Sequence, residues 1–288
     1  MIDALIGGIA TGSLYAILAV GFVVVYAATG VANFSQGALA MVASFMMFTA
    51  ASHWGFPVAF AALLGLGSSV VVSWLVYVLG LRLIETSHHL YKGIATLAID
   101  IILINSARVI WGPSSFQFDS VVRGSVVAVG GMSLPLVYVI TFVAALGSAL
   151  LLHLFLSKTR IGIAVRAVAQ NSDAALLMGI RLPIVSALSW VICGLMAGLA
   201  GLLLTSVTYL SYNMMDPYLV RMFAAAALGG LTSVLGAVVG GIGLGAIEGV
   251  IGRYIPATLI DVVSVLVLLC VLMYRPQGLF GTARVRRV

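Results

Sequence analysis

The 288-residue chain carries eight acidic and fourteen basic residues, and few of them sit where chemistry could be done. Asp100 and Arg108 lie within one apolar run, eight residues apart, about two turns along one helix face. Glu248 and Asp261 read as satisfied polar groups at the ends of other runs. His88 and His89 are adjacent, so they point to different faces, and no third ligand lies near enough to complete a metal site. Cys193 and Cys270 stand inside apolar runs and read as small buried hydrophobes, not as a disulfide or a metal pair. With no paired carboxylates, metal cluster or nucleophile–base set, the residues argue against an enzyme. The sequence also lacks a G-x-x-x-x-G-K-[ST] loop, so it cannot cradle ATP in the usual way. What remains is the chemistry of a polar path, with Asn33, Gln36, Asn105 and Tyr209 as candidate lining groups. Asp100 is the one good candidate for carrying a coupling ion.

The elements that must position these groups are membrane spans. The chain is 62% hydrophobic and 8% charged, with a mean hydropathy of +1.22. A water-soluble domain carries about a quarter charged residues. The expected fold is therefore all-α, a polytopic transmembrane helical bundle forming a single domain over residues 1–288. Apolar runs of about 20 residues suit a hydrocarbon layer ~30 Å thick, which allows eight to ten spans with discontinuous segments among them. The net charge of +6 lies in short loops between runs, which fits the positive-inside rule better than nucleic acid. The first basic residue is Arg82, so residues 4–28 read as a retained span and not a cleaved signal. Basic loops at 82–92 and 157–185 lie two spans apart, and residues 275–288 form a basic tail with Arg284, Arg286 and Arg287. Together they place the N-terminus outside, the C-terminus in the cytoplasm, and the crossings at nine.

Further spans are expected over 58–81, 93–111, 132–156, 186–210, 234–251 and 257–274. Residues 112–131, with Asp119 and Arg123, read as a polar loop. Two short apolar runs fit less simply. Residues 30–37 (GVANFSQG) break the chain ahead of 38–51, either as a tight turn or as a discontinuous segment facing a cavity. Residues 218–231 are also short for a crossing. Gly7, Gly8, Gly12 and Gly21 permit close contact along the first span. Gly236 with Gly240, and Gly241 with Gly245, form two GxxxG pairs for packing against another helix or across a subunit interface.

One stretch is wet. Residues 157–181 (SKTRIGIAVRAVAQNSDAALLMGIR) hold Lys158, Arg160, Arg166 and Arg181. A helix over 161–169 is interrupted at Asn171 and Ser172, Ser172 or Asp173 can cap a second short helix, and Gly179 supplies a stop. Two short helices with an elbow make a docking surface for a soluble partner.

Four segments carry a family resemblance that runs nearly end to end: residues 12–34 with their asparagine-phenylalanine turn, 166–180, 216–236, and the ending 275–281 (RPQGLFG). The chain resembles the permease subunits of branched-chain amino acid ABC importers. The family commonly reads asparagine-phenylalanine-alanine-histidine-glycine-glutamate in the turn, where this chain has Asn33-Phe34-Ser35-Gln36-Gly37-Ala38. A position that is often glycine is Val220 here.

The resemblance implies two cytoplasmic ATPase subunits, which would bind ATP and magnesium while this chain binds no cofactor. It also implies a second permease subunit (a paralogue or a copy), a periplasmic substrate-binding protein, and residence in the inner membrane. The elbow, residues 157–185, would be the cytoplasmic coupling loop. Arg166, Ala167, Ala169, Asn171, Ala174, Leu177 and Gly179 would be its contact residues, Arg166 through a charge-assisted bond. An ion-coupled secondary transporter is the competing reading, and it would rest on Asp100.

Overall fold

The computed structural model describes residues 1–84, 89–118, 125–129, 132–256, 259–275 and 277–281. His88, Asp119, Arg123 and the tail cations Arg284, Arg286 and Arg287 lie outside the described residues. In chain order the helices are α1 (Ile2–Thr29), α2 (Gln36–Ser52), α3 (Val58–Leu75), α4 (His89–Trp111), α5 (Leu136–Lys158) and the elbow pair α6 (Arg160–Gln170) and α7 (Ser172–Leu177). Then come α8 (Leu182–Thr205), α9 (Asp216–Gly229), α10 (Val234–Ile251) and α11 (Ile260–Tyr274). A π-helical turn (Val76–Gly80) and a 3-10 turn (Leu81–Ile84) prolong α3. Six helices are long and apolar enough to cross a membrane: α1, α3 with its extension, α4, α5, α8 and α10. The shorter apolar helices are α2 and α11, with 17 and 15 residues; α9, with 14, carries Asp216 and Arg221 and is more polar.

Among the described residues, then, six helices are long enough to span where nine crossings were expected, because α2, α9 and α11 are each shorter than the hydrocarbon layer requires. The start of α5 differs from expectation. Residues 132–135 pair as a strand, β2 (Met132–Pro135), with β1 (Val126–Val129), antiparallel and in the register Val126 to Pro135. Pro135 then occupies the N-cap of α5, where its fixed φ suits a helix start.

The core is built around α1, which is apolar on every side and buried along most of its length. Its longest partner is α10, running antiparallel. Gly8 and Gly12 lie against Gly241, Gly245 and Gly249, and a Cβ on Gly12 would stand 2.6 Å from the Gly241 carbonyl oxygen. Only glycine on both helices allows backbones this close. The second GxxxG pair turns the other way. A Cβ on Gly240 would strike the Ala225 carbonyl, and one on Gly236 the Gly229 carbonyl, both on α9. Both pairs therefore work inside the chain, on two faces of α10. Gly7 takes no part in the seam; the nearest atom to its would-be Cβ is on Tyr138, at 4.0 Å.

A second seam joins α3 to α8, where Ser69 donates to the Gly194 carbonyl at 2.8 Å and Ser73 to that of Trp190 at 2.5 Å. Cys193 is fully buried on α8, but Cys270 on α11 is exposed, contrary to the expectation of burial. Its run is apolar because α11 presents an outer face, and an outer face in a membrane is as apolar as a core.

Candidate functional site

The break after α1 is a built feature. Gly30 ends the helix with φ 69° and donates its N–H to Tyr26 at 2.8 Å, as a C-terminal glycine should. The chain then runs back as an extended segment, so that α2 begins beside the middle of α1. The Gln36 amide donates to the Leu18 carbonyl at 3.4 Å. An extended segment inside a bundle must satisfy its backbone without water. Thr96 of α4 does so, accepting from the Phe34 N–H at 3.2 Å and lying 3.1 Å from the Ala32 carbonyl. Residues 30–37 are thus a break inside the bundle and not a tight turn, but their polar side chains close on one another and on Cys193 instead of facing a cavity.

Asn33 and Gln36 are fully buried in a knot that holds this break. Asn33 accepts from the Ser35 N–H at 3.0 Å and the Ser35 hydroxyl at 2.7 Å. Its amide donates to Gln36 at 3.3 Å and to the Cys193 sulfur at 3.1 Å, and Cys193 donates in turn to Gln36. Asn105 is elsewhere, on the exposed side of α4, its amide bonded to its own helix at Ile101. Tyr209 is exposed on the loop between α8 and α9. The four candidate path residues are thus not brought together in one protomer.

The second short run gives the second interrupted element. Helix α9 starts beside α2, with Met215 closing on Gly37. Asp100 of α4 faces the Ala38 N–H in the first turn of α2 and has Asp216 as a neighbour. Arg108, two turns along, lies over the Tyr212 ring at 5.6 Å. Asp100 and Arg108 therefore share a flank of α4 but take different partners.

A charged cluster that sequence reading passed over ties α9 to the helices beside it. Arg221 donates Nε to Glu248 of α10 at 3.2 Å, Nη1 to the Pro217 carbonyl at 3.1 Å, and Nη2 to Asp261 of α11 at 2.6 Å. Glu248 also accepts from Tyr15 of α1 at 2.7 Å and from Ser264 of α11. An unpaired buried charge is expensive, so this pairing is what allows Arg221 inside an apolar run. The signal was in the sequence: an arginine among apolar residues predicts an acidic partner, and Glu248 and Asp261 were the acids to hand.

The elbow is as expected, with one change of cap. Thr159 caps α6, accepting from Gly162 at 3.0 Å, and Asn171 caps α7, accepting from Asp173 and Ala174 at 3.0 Å each. Asn171, not Ser172 or Asp173, is thus the second cap; its extended backbone leaves the side-chain oxygen over the first free N–H groups. Gly179 sits at φ 82° past the end of α7. Val165, Val168 and Ala175 form a small core with Ala28 at the end of α1 and Val185 at the start of α8. The other side of the elbow is open. Leu177 and Met178 are 90% and 82% exposed, with Leu176, Ile161 and Ile163 also exposed. Arg166 is exposed and reaches back toward the Ser157 carbonyl at 3.4 Å, while Ala174 is exposed and Ala167 and Ala169 are half-buried.

The elbow thus has a buried core on one side and exposed leucine, isoleucine and methionine on the other. Comparison with known proteins identifies the family. The family model described as the branched-chain amino acid transport system permease component matches residues 4–272. The chain belongs to this permease family. It is 30% identical to the high-affinity branched-chain amino acid transport permease LivH of Escherichia coli K12, covering 100% of this chain and 97% of that one. It is 29% identical to BraD of Pseudomonas aeruginosa, covering 100% and 98%. It is 31% identical to the probable LivH of Methanocaldococcus jannaschii, covering 96% and 91%. A member of this family is the multi-pass permease subunit of an ABC importer, not itself an enzyme.

Proposed function

We propose that this permease carries branched-chain amino acids inward and is driven through its elbow by two separate ATPase subunits. A second permease and a periplasmic binding protein complete the assembly, and ATP with magnesium is held by the ATPases. The observation that carries this reading is the exposed apolar tip of the elbow, Leu176 to Met178, standing on a core shared with α1 and α8. In this reading residues 157–185 and the tail, 275–288, face the cytoplasm and Met1 faces the outside.

The mechanism follows from the packing. An ATPase closing on Arg166, Asn171, Ala174 and Leu177 displaces α6 and α7 as a unit, because Val165, Val168 and Ala175 fix them to Ala28 and Val185. Helices α1 and α8 are stiff and run through the whole bundle, so they carry the displacement to the two interrupted elements. There α2 and α9 meet at Gly37 and Met215, and a shift of one against the other alternates access between the two sides. Asn33 and Gln36 act here as the pin of the hinge. Asn105, on the open side of α4, belongs to whatever faces that helix, and Tyr209 to the outer mouth.

The test is co-purification of the permease with its ATPases. Ala174→Asp with Leu177→Asp should abolish the complex while the permease alone still elutes as a folded monodisperse species. Survival of the complex in the double variant would refute the coupling role of the elbow. The family match favours the importer over an ion-coupled transporter, so uptake should stop when ATP is withheld.

A further inference from the structure

The cluster around Arg221 opens into a pocket. A cavity of about 410 Å³ lies between α1, α5, α9, α10 and α11, lined by Tyr15, Tyr138, Tyr218, Arg221, Glu248 and Ile260. Its floor is the glycine seam of α1 and α10, where no side chains exist to fill the space. It stands at the end of the bundle opposite the elbow, where α1 begins and α10 ends. We propose that this pocket is a docking station for a zwitterionic amino acid entering the membrane, with Arg221 receiving its carboxylate and Asp261 its ammonium group.

The two acids on Arg221 are not equivalent. The Glu248 side chain is 7% exposed and takes three donors, from Tyr15, Arg221 and Ser264, so it is fixed in place. The Asp261 side chain is 67% exposed; it does not line the cavity but holds Arg221, which does, and follows the lining residue Ile260 in the chain. A pair with one exposed partner contributes less than a buried one and opens more readily. A zwitterion can replace it one for one. Its carboxylate takes the Nη2 donor of Arg221, and its ammonium takes the carboxylate of Asp261 as that side chain turns outward. One ion pair opens and two form, and no proton moves.

Arg221 does not follow Asp261 outward. Its Nε stays on Glu248, and its guanidinium lies over Tyr15 at 5.8 Å and Tyr218 at 6.0 Å, a cation held by two aromatic faces. The three tyrosines and Ile260 give an apolar side chain somewhere to rest. A simple anion would leave Asp261 repelled, and a simple cation would meet Arg221, so both signs together select a zwitterion. The cavity falls in the range of about 300–1,000 Å³ that suits small ligands.

This inference rests on the reading of the chain as an amino acid permease, and the test separates the two. The assembled transporter, reconstituted in liposomes with its binding protein, is assayed for ATP-driven uptake of radiolabelled leucine. The same complex without the binding protein is assayed for leucine binding, with leucinamide and isocaproate as competitors lacking one charge each. In the wild type, leucine should compete and both analogues should fail. Asp261→Asn should weaken leucine binding about tenfold, the loss of one charge pair, and should let isocaproate compete as well as leucine does. Arg221→Lys should weaken leucine binding while retaining charge. Arg253→Gln, an exposed change in the loop beyond α10, should alter nothing.

A merely structural clasp would change melting temperature and total binding but not the ranking of the competitors. Import of leucine with the ranking unchanged in Asp261→Asn and Arg221→Lys overturns the docking site alone. Failure of the wild-type assembly to import any amino acid overturns the substrate reading, and the site with it.

Discussion

The α1–α10 seam makes a prediction in which one substitution has opposite signs at two positions. At Gly12 an alanine Cβ would lie 2.6 Å from the Gly241 carbonyl oxygen and 3.0 Å from the Cα atoms of Gly245 and Ile242. A comfortable carbon contact is about 3.5–4.0 Å. The helices must therefore part by nearly an ångström, and every atom in that opposing set is backbone that cannot rotate away. Overpacking of this kind costs about 1–3 kcal/mol. Replacing a helical glycine returns about 0.5–1 kcal/mol of backbone entropy, so Gly12→Ala should destabilise by up to roughly 2.5 kcal/mol, with about 1 as the central value. Gly147 lies in mid-helix on α5 with nothing within 4 Å of its would-be Cβ. Gly147→Ala should give the entropy gain alone and stabilise by about 0.5–1 kcal/mol.

The assay is thermal unfolding of each purified variant in one detergent and at one heating rate, since an irreversible transition would make the midpoint depend on the rate. At roughly 2–4 °C per kcal/mol for a chain of this size, Gly12→Ala should melt several degrees below Gly147→Ala, with wild type between them. A Gly12→Ala protein melting at or above Gly147→Ala would refute the claim that backbone contact, and not helix propensity, sets the glycines of this seam.

Other expectations follow from single contacts. Leu177→Ala removes most of a fully exposed side chain, so permease stability should not change. Affinity for the ATPase, measured by surface plasmon resonance on reconstituted permease, should fall about tenfold or more if that leucine is buried in the complex. Glu248→Ala leaves Arg221 with the exposed Asp261 as its one acidic partner among the described residues. It should cost about 3–5 kcal/mol and sharply reduce the folded yield seen by fluorescence-detected size exclusion, whereas Glu248→Gln should retain part of that yield. Thr96→Val keeps the shape but leaves the Phe34 N–H without its acceptor. It should cost about 1–3 kcal/mol and speed hydrogen exchange at residues 31–35 without affecting the elbow.

Much of the architecture was readable because it depends on local pattern. The elbow helices, the GxxxG pairs and the interrupted second span each leave their mark within a dozen residues. The partners were less readable. Asn33 and Gln36 are polar groups in an apolar setting, which fits a pore wall and a buried knot equally well. What makes the knot is Cys193, 160 residues from Asn33, arriving on α8 to share their hydrogen bonds. Arg221 was overlooked because its neighbours are apolar, although that is the circumstance in which a charge must have a partner.

The sequence by itself determined that the chain lives in a membrane, where its wet elbow lies, and which runs are too short to cross unaided. These follow from the hydrophobic length a bilayer demands and from where charge is tolerated. Only the tertiary structure decided that α10 shows one glycine face to α1 and another to α9. It also decided that Tyr15 and Glu248, 233 residues apart, share a hydrogen bond, and that a cavity opens beside them. The reason is physical: helix formation answers to neighbours three and four residues away, but the packing of helices answers to shape and charge brought together by the whole chain.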